Sequence, residues 1–309
     1  MISIAFYNLE NFFDTIDNQK TKDNDFTPKG IMHWIKKRYF NKAKRIGKTI
    51  SKIGLKETGN SPVLIGLAEV ENKRVLNDLI NENYLKNKSY GFVHFDSADI
   101  RGMDVALLYD KERFELLETH HFPVELYNNR GEIYPSRDIL YCKGNILNTT
   151  IHLFVNHWPS RREGDLETNQ KRKLAALRLR EQIDYIKYEE NNPKIIVMGD
   201  FNTNPNDEII ERYLQYNDFV NPAKQKFLEK KGTTHYHKQW LMFDQILFSK
   251  NFIYDKIFHS FHIYKPKFLI IWKGKYKGFP FRTFRGKKYQ NGYSDHFPVY
   301  SILKFQKKR

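Results

Sequence analysis

Cysteine is nearly absent: Cys142 is the only one in 309 residues, so no intramolecular disulfide and no cysteine-rich metal site can form. A chain that folds without disulfides suits a reducing compartment. Long apolar runs are missing as well, and none approaches the roughly 20 residues that a membrane span requires. Met1 is followed at once by the alternation Ile2, Ile4, Phe6, the pattern of a core strand rather than of a signal peptide. The expected compartment is therefore the cytoplasm, with secretion expected only if a leader was removed. No repeat period and no low-complexity linker marks a boundary, so a single domain over residues 1–309 is expected.

Acidic side chains are the minority, 36 Asp and Glu against 52 Lys and Arg, for a formal net charge of +16. Such an excess attracts polyanions and supplies phosphate contacts. A lysine-rich surface that is merely soluble explains the charge equally well, so charge alone does not decide. The apolar share, 40%, suits a packed core rather than a disordered chain.

Short β-rich runs dominate the chain, and several end in a polar residue or cluster. Ile2–Tyr7 ends at Asn8, and Val63–Leu67 leads to Glu69. Asp104–Tyr109 and Ile139–Cys142 read as further strands. Ile151–Val155 ends at Asn156 and His157, and Lys194–Met198 runs into Gly199, Asp200, Phe201 and Asn202. Met242–Phe248 carries Asp244, and Ser294–Asp295–His296 precedes the run Phe297–Phe305. Helical spacing is clearest for Ile35, Tyr39, Ala43, Ile46, Ile50 and Ile53, and again for Ala176, Leu179, Ile183 and Ile186. Asn206–Asp207 could cap a shorter helix to about Gln215. Strands interspersed with a few long helices predict sheets covered by helices.

The polar clusters carry the chemistry. In an extended segment alternate residues share a side, so Asp200 and Asn202 could face one phosphate together. A carboxylate can orient a water, and an amide can donate to charge developing on a phosphoryl oxygen. The competing reading is a strand-to-turn cap. Asp244 could receive the N–H of His296 and fix its tautomer, the orienter logic of a catalytic triad. Glu69 at a sheet end suits a hard divalent cation, to which Asn8 could offer a neutral oxygen. Glu71 reads as a capping or surface residue. His157, Arg161 and Arg162 at another strand end could neutralise a phosphate. Trp158 reads as packing. Arg137 could reach a phosphate or pair at the surface with Asp138.

Taken in order, Asn8, Glu69, His157, Asp200 with Asn202, Asp244 and Asp295 with His296 resemble the motifs of the endonuclease/exonuclease/phosphatase superfamily, which includes deoxyribonuclease-I-like enzymes. The likeness spans residues 4 to 300. The runs Asn156–Arg162 and Gly292–Pro298 look most like bacterial members described as endonucleases. The resemblance implies an α/β fold, a four-layer α/β sandwich of two packed sheets with helices outside, forming one catalytic domain. It implies Mg2+, with Mn2+ able to substitute, held by Glu69 with Asn8 and Asp295 contributing directly or through water. Asp200 would position the attacking water, Asn202 would bind the scissile phosphate, and His157 and His296 would contact it, with Asp244 orienting His296. Arg137 and Arg161 would bind phosphate or substrate. The general base stays open between Asp200 and His296.

A segment from Lys265 to Lys288 has no acidic residue and interleaves nine cations with Phe268, Trp272, Tyr276, Phe279, Phe281 and Phe284. Cations alternating with aromatic faces suit a phosphate backbone with base stacking. An ordinary loop with packed aromatics and solvated lysines is the alternative. The expected function is hydrolysis of nucleic-acid phosphodiesters, DNA ahead of RNA, with no obligate protein partner implied. The alternative is a phosphatase or lipid phosphodiesterase acting on a small head group. Met242–Phe243–Asp244 lacks the arginine before the aspartate that resembles inositol-phosphate phosphatases. A non-catalytic nucleic-acid-binding module is disfavoured by the complete polar set.

Overall fold

The structure, a computed structural model, describes residues 1–127, 131–161 and 165–305. In chain order the strands of its two main sheets are β1 (Ile2–Phe12), β2 (Leu64–Val70), β3 (Tyr90–His94), β4 (Asp104–Asp110), β5 (Glu115–Phe122) and β6 (Ile139–Ile146). They continue with β7 (Thr149–His157), β8 (Ile195–Asp200), β9 (Phe219–Val220), β10 (Asp244–Ser249), β11 (Phe258–Ile263) and β12 (Val299–Leu303). The first sheet runs β11-β12-β1-β2-β4-β3 and the second β9-β10-β8-β7-β6-β5.

Each sheet contains one parallel pair, β1 with β2 and β7 with β8, and its other pairs are antiparallel. Parallel neighbours need a long crossover. Helix α1 (Lys36–Ile50) lies in the first crossover and helix α3 (Asp165–Glu189) in the second, while α2 (Lys73–Ile80) follows β2. Tyr39, Ala43, Ile46 and Ile50 form the buried stripe of α1, and Ala176, Leu179, Ile183 and Ile186 that of α3. Ile35, expected on the same stripe, precedes the helix and is exposed.

Strands buried on both faces alternate between two cores. On β1, Ile4 and Phe6 pack between the sheets against Val155, Met198 and Ile246, while Ala5 and Tyr7 pack beneath α1 and α2. On β8, Ile196 and Met198 face the other sheet, and Ile195 and Val197 lie under α3. The result is the four-layer sandwich, helices over sheet over sheet over helix. β1 packs on β8 and β10, and β2 on β7 and β8, so both parallel pairs meet at the centre.

The segment expected to form a helix to Gln215 is a π-helix, Ile209–Gln215, started by the Asp207 side chain accepting from the Ile209 N–H. Among the described residues no helix is long and apolar enough to cross a membrane.

Candidate active site

Topology brings the polar clusters to one edge of the sandwich. Asn8, Glu69, His157 and Asp200 sit toward the carboxyl ends of the two parallel pairs. Antiparallel neighbours reach that edge with their starts: Asp244 opens β10 opposite Asp200, and His296 lies three residues before β12, whose Val299 pairs with Phe6. Open α/β sheets place ligands at such strand ends.

The β1–β2 pair slips its register between Asn8 and Phe12, and β2 slips against β4 between Ala68 and Val70. Glu10, Asn11 and Glu69 adopt φ of +53°, +54° and +61°. Left-handed backbone is costly for residues with a Cβ and is held only by its surroundings. Here the slip re-aims the side chains, as bulges do. Glu69 Oε2 accepts from the Asn11 N–H at 2.7 Å, and Oε1 accepts from Asn8 Nδ2 at 3.3 Å. The same Asn8 amide donates to Asp200 Oδ2 at 3.0 Å, so one side chain links carboxylates from the two sheets. The Asn8 oxygen meanwhile accepts from the Glu10 N–H at 3.0 Å.

Asp244 is fully buried, and its Oδ2 lies 2.7 Å from His296 Nδ1. The other imidazole nitrogen, Nε2, is 3.9 Å from Asp200 Oδ2, and His157 Nε2 is also 3.9 Å from that oxygen. Ser294 locks the loop: its Oγ donates to the Asn8 carbonyl at 2.7 Å and accepts from the His296 N–H at 3.1 Å. Burial raises the Asp200 carboxyl to about 6; Asp244 adds to this while His296 opposes it. Burial alone would lower the His296 imidazole, but Asp244 and Asp200 hold it well above its ordinary value. The two groups are thus pushed away from their ordinary values by burial and by each other's charge, as is common at acid–base sites.

Asn202 is not the extended partner of Asp200 that alternation predicts. The strand ends at Asp200, Asn202 turns to φ +49°, and its Nδ2 donates to the Trp158 carbonyl at 2.9 Å. Its backbone N–H returns to Asp200 Oδ1 at 3.0 Å, so the turn also holds the Asp200 carboxylate. Arg161 is spent on this turn, donating to the Asn202 carbonyl at 2.9 Å. Arg162 lies outside the described residues. Trp158 is buried edge-on to Phe201, the packing role expected of it. Arg137 is buried rather than superficial, and its ion partner is Asp99 at 3.4 Å; neighbouring Asp138 pairs instead with His121 at 2.6 Å. Burial lowers the Arg137 guanidinium, with Asp99, Glu69 and Asp200 opposing. Glu71 is buried as well, accepting from the Asp14 N–H at 2.5 Å.

Beside Glu69 lies a charge network that the sequence reading passed over. Asp295 Oδ2 accepts from Arg282 at 2.9 Å, and Arg282 also reaches Glu10 Oε1 at 3.2 Å. Lys42 is buried in α1, where its Nζ donates to the Glu10 carbonyl at 2.7 Å and to Thr283 Oγ1 at 2.5 Å. Burial raises Glu10 to about 7, with Asp295 adding, and lowers Lys42 to about 8, while Glu10, Asp295 and Glu69 oppose. A signal existed: Lys42 lies three after Tyr39 and four before Ile46, on the apolar stripe. Glu69 and Asp295 offer carboxylate oxygens to a hard divalent cation, while Asn8 turns its NH2 toward Glu69 and its oxygen to the Glu10 N–H, so it would reach such an ion through water or with its amide turned over. Asp200, Asp244 and His296 also stand close enough to one another to hold a metal.

The family model described as Endonuclease/Exonuclease/phosphatase family matches residues 3–305. No curated protein sequence matches the chain significantly. Among solved structures, a humanized Danio rerio TDP2 superposes with TM-score 0.60 at 16% identity, covering 98% of this chain and 99% of that one. The mannosyl-6-phosphatase of Bacteroides thetaiotaomicron does so with TM-score 0.59 at 16% identity, covering 99% and 100%. TDP2 of D. rerio complexed with a single-strand DNA product reaches TM-score 0.57 at 16% identity, covering 98% and 99%. These likenesses report a shared fold, and the family match over nearly the whole length goes further: the chain belongs to the endonuclease/exonuclease/phosphatase family, whose chemistry is the hydrolysis of phosphate esters.

Proposed function

We propose that the chain is a metal-dependent phosphodiesterase that hydrolyses nucleic-acid backbones, DNA ahead of RNA, within one catalytic domain over residues 1–309. The observation that carries this reading is the Asn8 amide joined to both Glu69 and Asp200, with His296 reaching from Asp200 to a buried Asp244. Asn8, Glu69 and Asp295 would hold Mg2+, or Mn2+ in its place. When bound, the cation supplies positive charge to the phosphate oxygens.

The chain's own residues do the rest. Asp200 and His296 Nε2 stand 3.9 Å apart, and whichever of the two is unprotonated would take the proton from water as it attacks the phosphorus in line. Asp244 keeps His296 in the tautomer with hydrogen on Nδ1. His157, facing the same Asp200 oxygen, and the Asn202 amide, through the hydrogen left free by its bond to the Trp158 carbonyl, would meet charge that spreads over the phosphate oxygens. Arg137 supplies a buried positive charge behind the site. Arg161 contributes to phosphate binding through the Asn202 turn it braces.

The basic segment supports a polyanionic substrate. Lys273, Lys275 and Lys277 are exposed, and so are Trp272 and Tyr276, whereas Phe268, Phe281 and Phe284 pack inward. Three of the six aromatics expected to stack on bases are therefore core, Phe279 stacks on His235, and two, Trp272 and Tyr276, stay outside among lysines. Arg282, from the same segment, touches Asp295, which ties the segment to the site.

A second reading, a phosphatase for a small sugar phosphate, is favoured by the likeness to the mannosyl-6-phosphatase. The two separate on one panel: cleavage of plasmid and single-stranded DNA against phosphate release from mannose 6-phosphate, each with Mg2+ and with EDTA. Strand cleavage abolished by EDTA is expected. Phosphate release with DNA left intact selects the second reading.

A further inference from the structure

A separate cluster stands at the open end of the β3–β4 pair. His94 closes β3 and pairs in register with Ala106 of β4. Asp104 lies two residues before Ala106 and so shares the face of His94, and Asp96 follows in the loop just after the strand end, its carboxylate facing the ring. The His94 side chain has no exposed surface, yet neither ring nitrogen makes a hydrogen bond. Buried polar atoms are ordinarily paired, so the ring asks for a partner. Its Nε2 faces Asp104 Oδ2 at 3.3 Å, and its Nδ1 faces Asp96 Oδ1 at 3.9 Å. One ligand atom from each of the three residues falls within 4.8 Å of the others.

We propose that His94, Asp96 and Asp104 form a second divalent-cation site, distinct from the Glu69 centre, that takes a borderline first-row ion such as zinc. One imidazole with two carboxylates suits such an ion better than Mg2+, which favours oxygen alone. The 3.3 Å between His94 Nε2 and Asp104 Oδ2 is the separation of two ligands around one small ion with bonds of about 2.0–2.2 Å. Asp96 is exposed, so its carboxylate can swing to the nitrogen that faces Asp104 and leaves an entry path. Asp104 is held in place because its Oδ1 accepts from the Ser97 N–H at 3.1 Å and from the Ser97 hydroxyl. The site braces the loop 95–103. Asp99 in that loop holds Arg137, so the cation fixes the backing of the active site without entering it.

The test uses the Glu69→Gln protein, which weakens the other centre. After incubation with zinc chloride and desalting, metal content is measured by mass spectrometry and melting by circular dichroism. Glu69→Gln should retain one zinc per chain and melt higher with zinc than without. Adding Asp96→Asn, a surface change, or His94→Gln should abolish both effects. Equal zinc content and equal melting shifts with and without Asp96→Asn would overturn the site, whatever His94→Gln does to folding. Neither readout depends on nuclease activity, so failure here and failure of the proposed function are distinguishable.

Discussion

Replacing Asp244 by asparagine probes the proton relay with little change of shape. The carboxylate is fully buried, its Oδ2 lies 2.7 Å from His296 Nδ1, and its Oδ1 has no hydrogen-bond partner. An asparagine has two choices. With its oxygen toward Nδ1, the N–H contact survives, the negative charge is lost, and an NH2 is buried without an acceptor. With its NH2 toward Nδ1, the imidazole must carry its proton on Nε2 and cannot act as a base toward Asp200's side. The first outcome removes one of the two charges that hold His296 well above its ordinary value. The second costs more, as in triads whose orienter is neutralised. Turnover should fall roughly 10²- to 10⁴-fold, which is about 3–5 kcal/mol of barrier at 1.36 kcal/mol per decade. Hydrolysis of bis(p-nitrophenyl) phosphate reads this for a diesterase and of p-nitrophenyl phosphate for a monoesterase, and circular dichroism checks the fold. A folded Asp244→Asn protein within threefold of wild type would refute the relay.

Glu69→Gln should raise the Mg2+ concentration for half-maximal activity by roughly 10- to 100-fold, and a superposable metal titration contradicts the assignment. Charge removal at Lys273, Lys275 and Lys277 together should weaken DNA binding and lower the log–log salt slope by about 2–3, at roughly 0.7–0.9 per lost phosphate contact. Turnover of the small diester should stay unchanged in that variant, and an unaltered slope removes the segment from the DNA. Asp200→Asn should lose orders of magnitude in turnover yet melt higher than wild type at alkaline pH. The sign follows from linkage: a carboxyl raised from 3.8 to about 6 holds its proton longer in the folded state, so stability declines between those values and stays reduced above them. The melting gap should therefore open from pH 4 to 6 and close below pH 4. A gap independent of pH would contradict the burial of an ionised Asp200.

Apolar periodicity carried most of the fold. The alternation at Ile4 and Phe6 and the stripe from Tyr39 to Ile50 correspond to β1 and α1, because both faces of the central strands are buried and helices cover the outside. Periodicity could not read backbone that leaves the regular regions. The turn at Asn202 and the bulge that aims Glu69 depend on left-handed residues held by tertiary contacts, so the Asn202 amide does not point where simple alternation places it and the aim of Glu69 could not be read at all. Long-range charge pairing was equally hidden. Asp99 lies 38 positions from Arg137, and the partners of Lys42 come from Glu10 and Thr283, separations at which a single chain offers no signal. Strand-end polar residues fared better: Asn8, Asp200, Asp244 and His296 converge because parallel strand ends and antiparallel strand starts share one edge.

The account depends most on oxygen donors from β1, β2 and the loop before β12 gathering about a single cation. Crystals soaked in MnCl2 and measured near the manganese absorption edge test it without recourse to any assay of turnover. A strong anomalous peak bounded by Glu69, Asp295 and Asn8, with Arg282 drawn back from Asp295, is the result expected. Manganese bound between Asp200, Asp244 and His296 instead, with Glu69 bare, would contradict the arrangement.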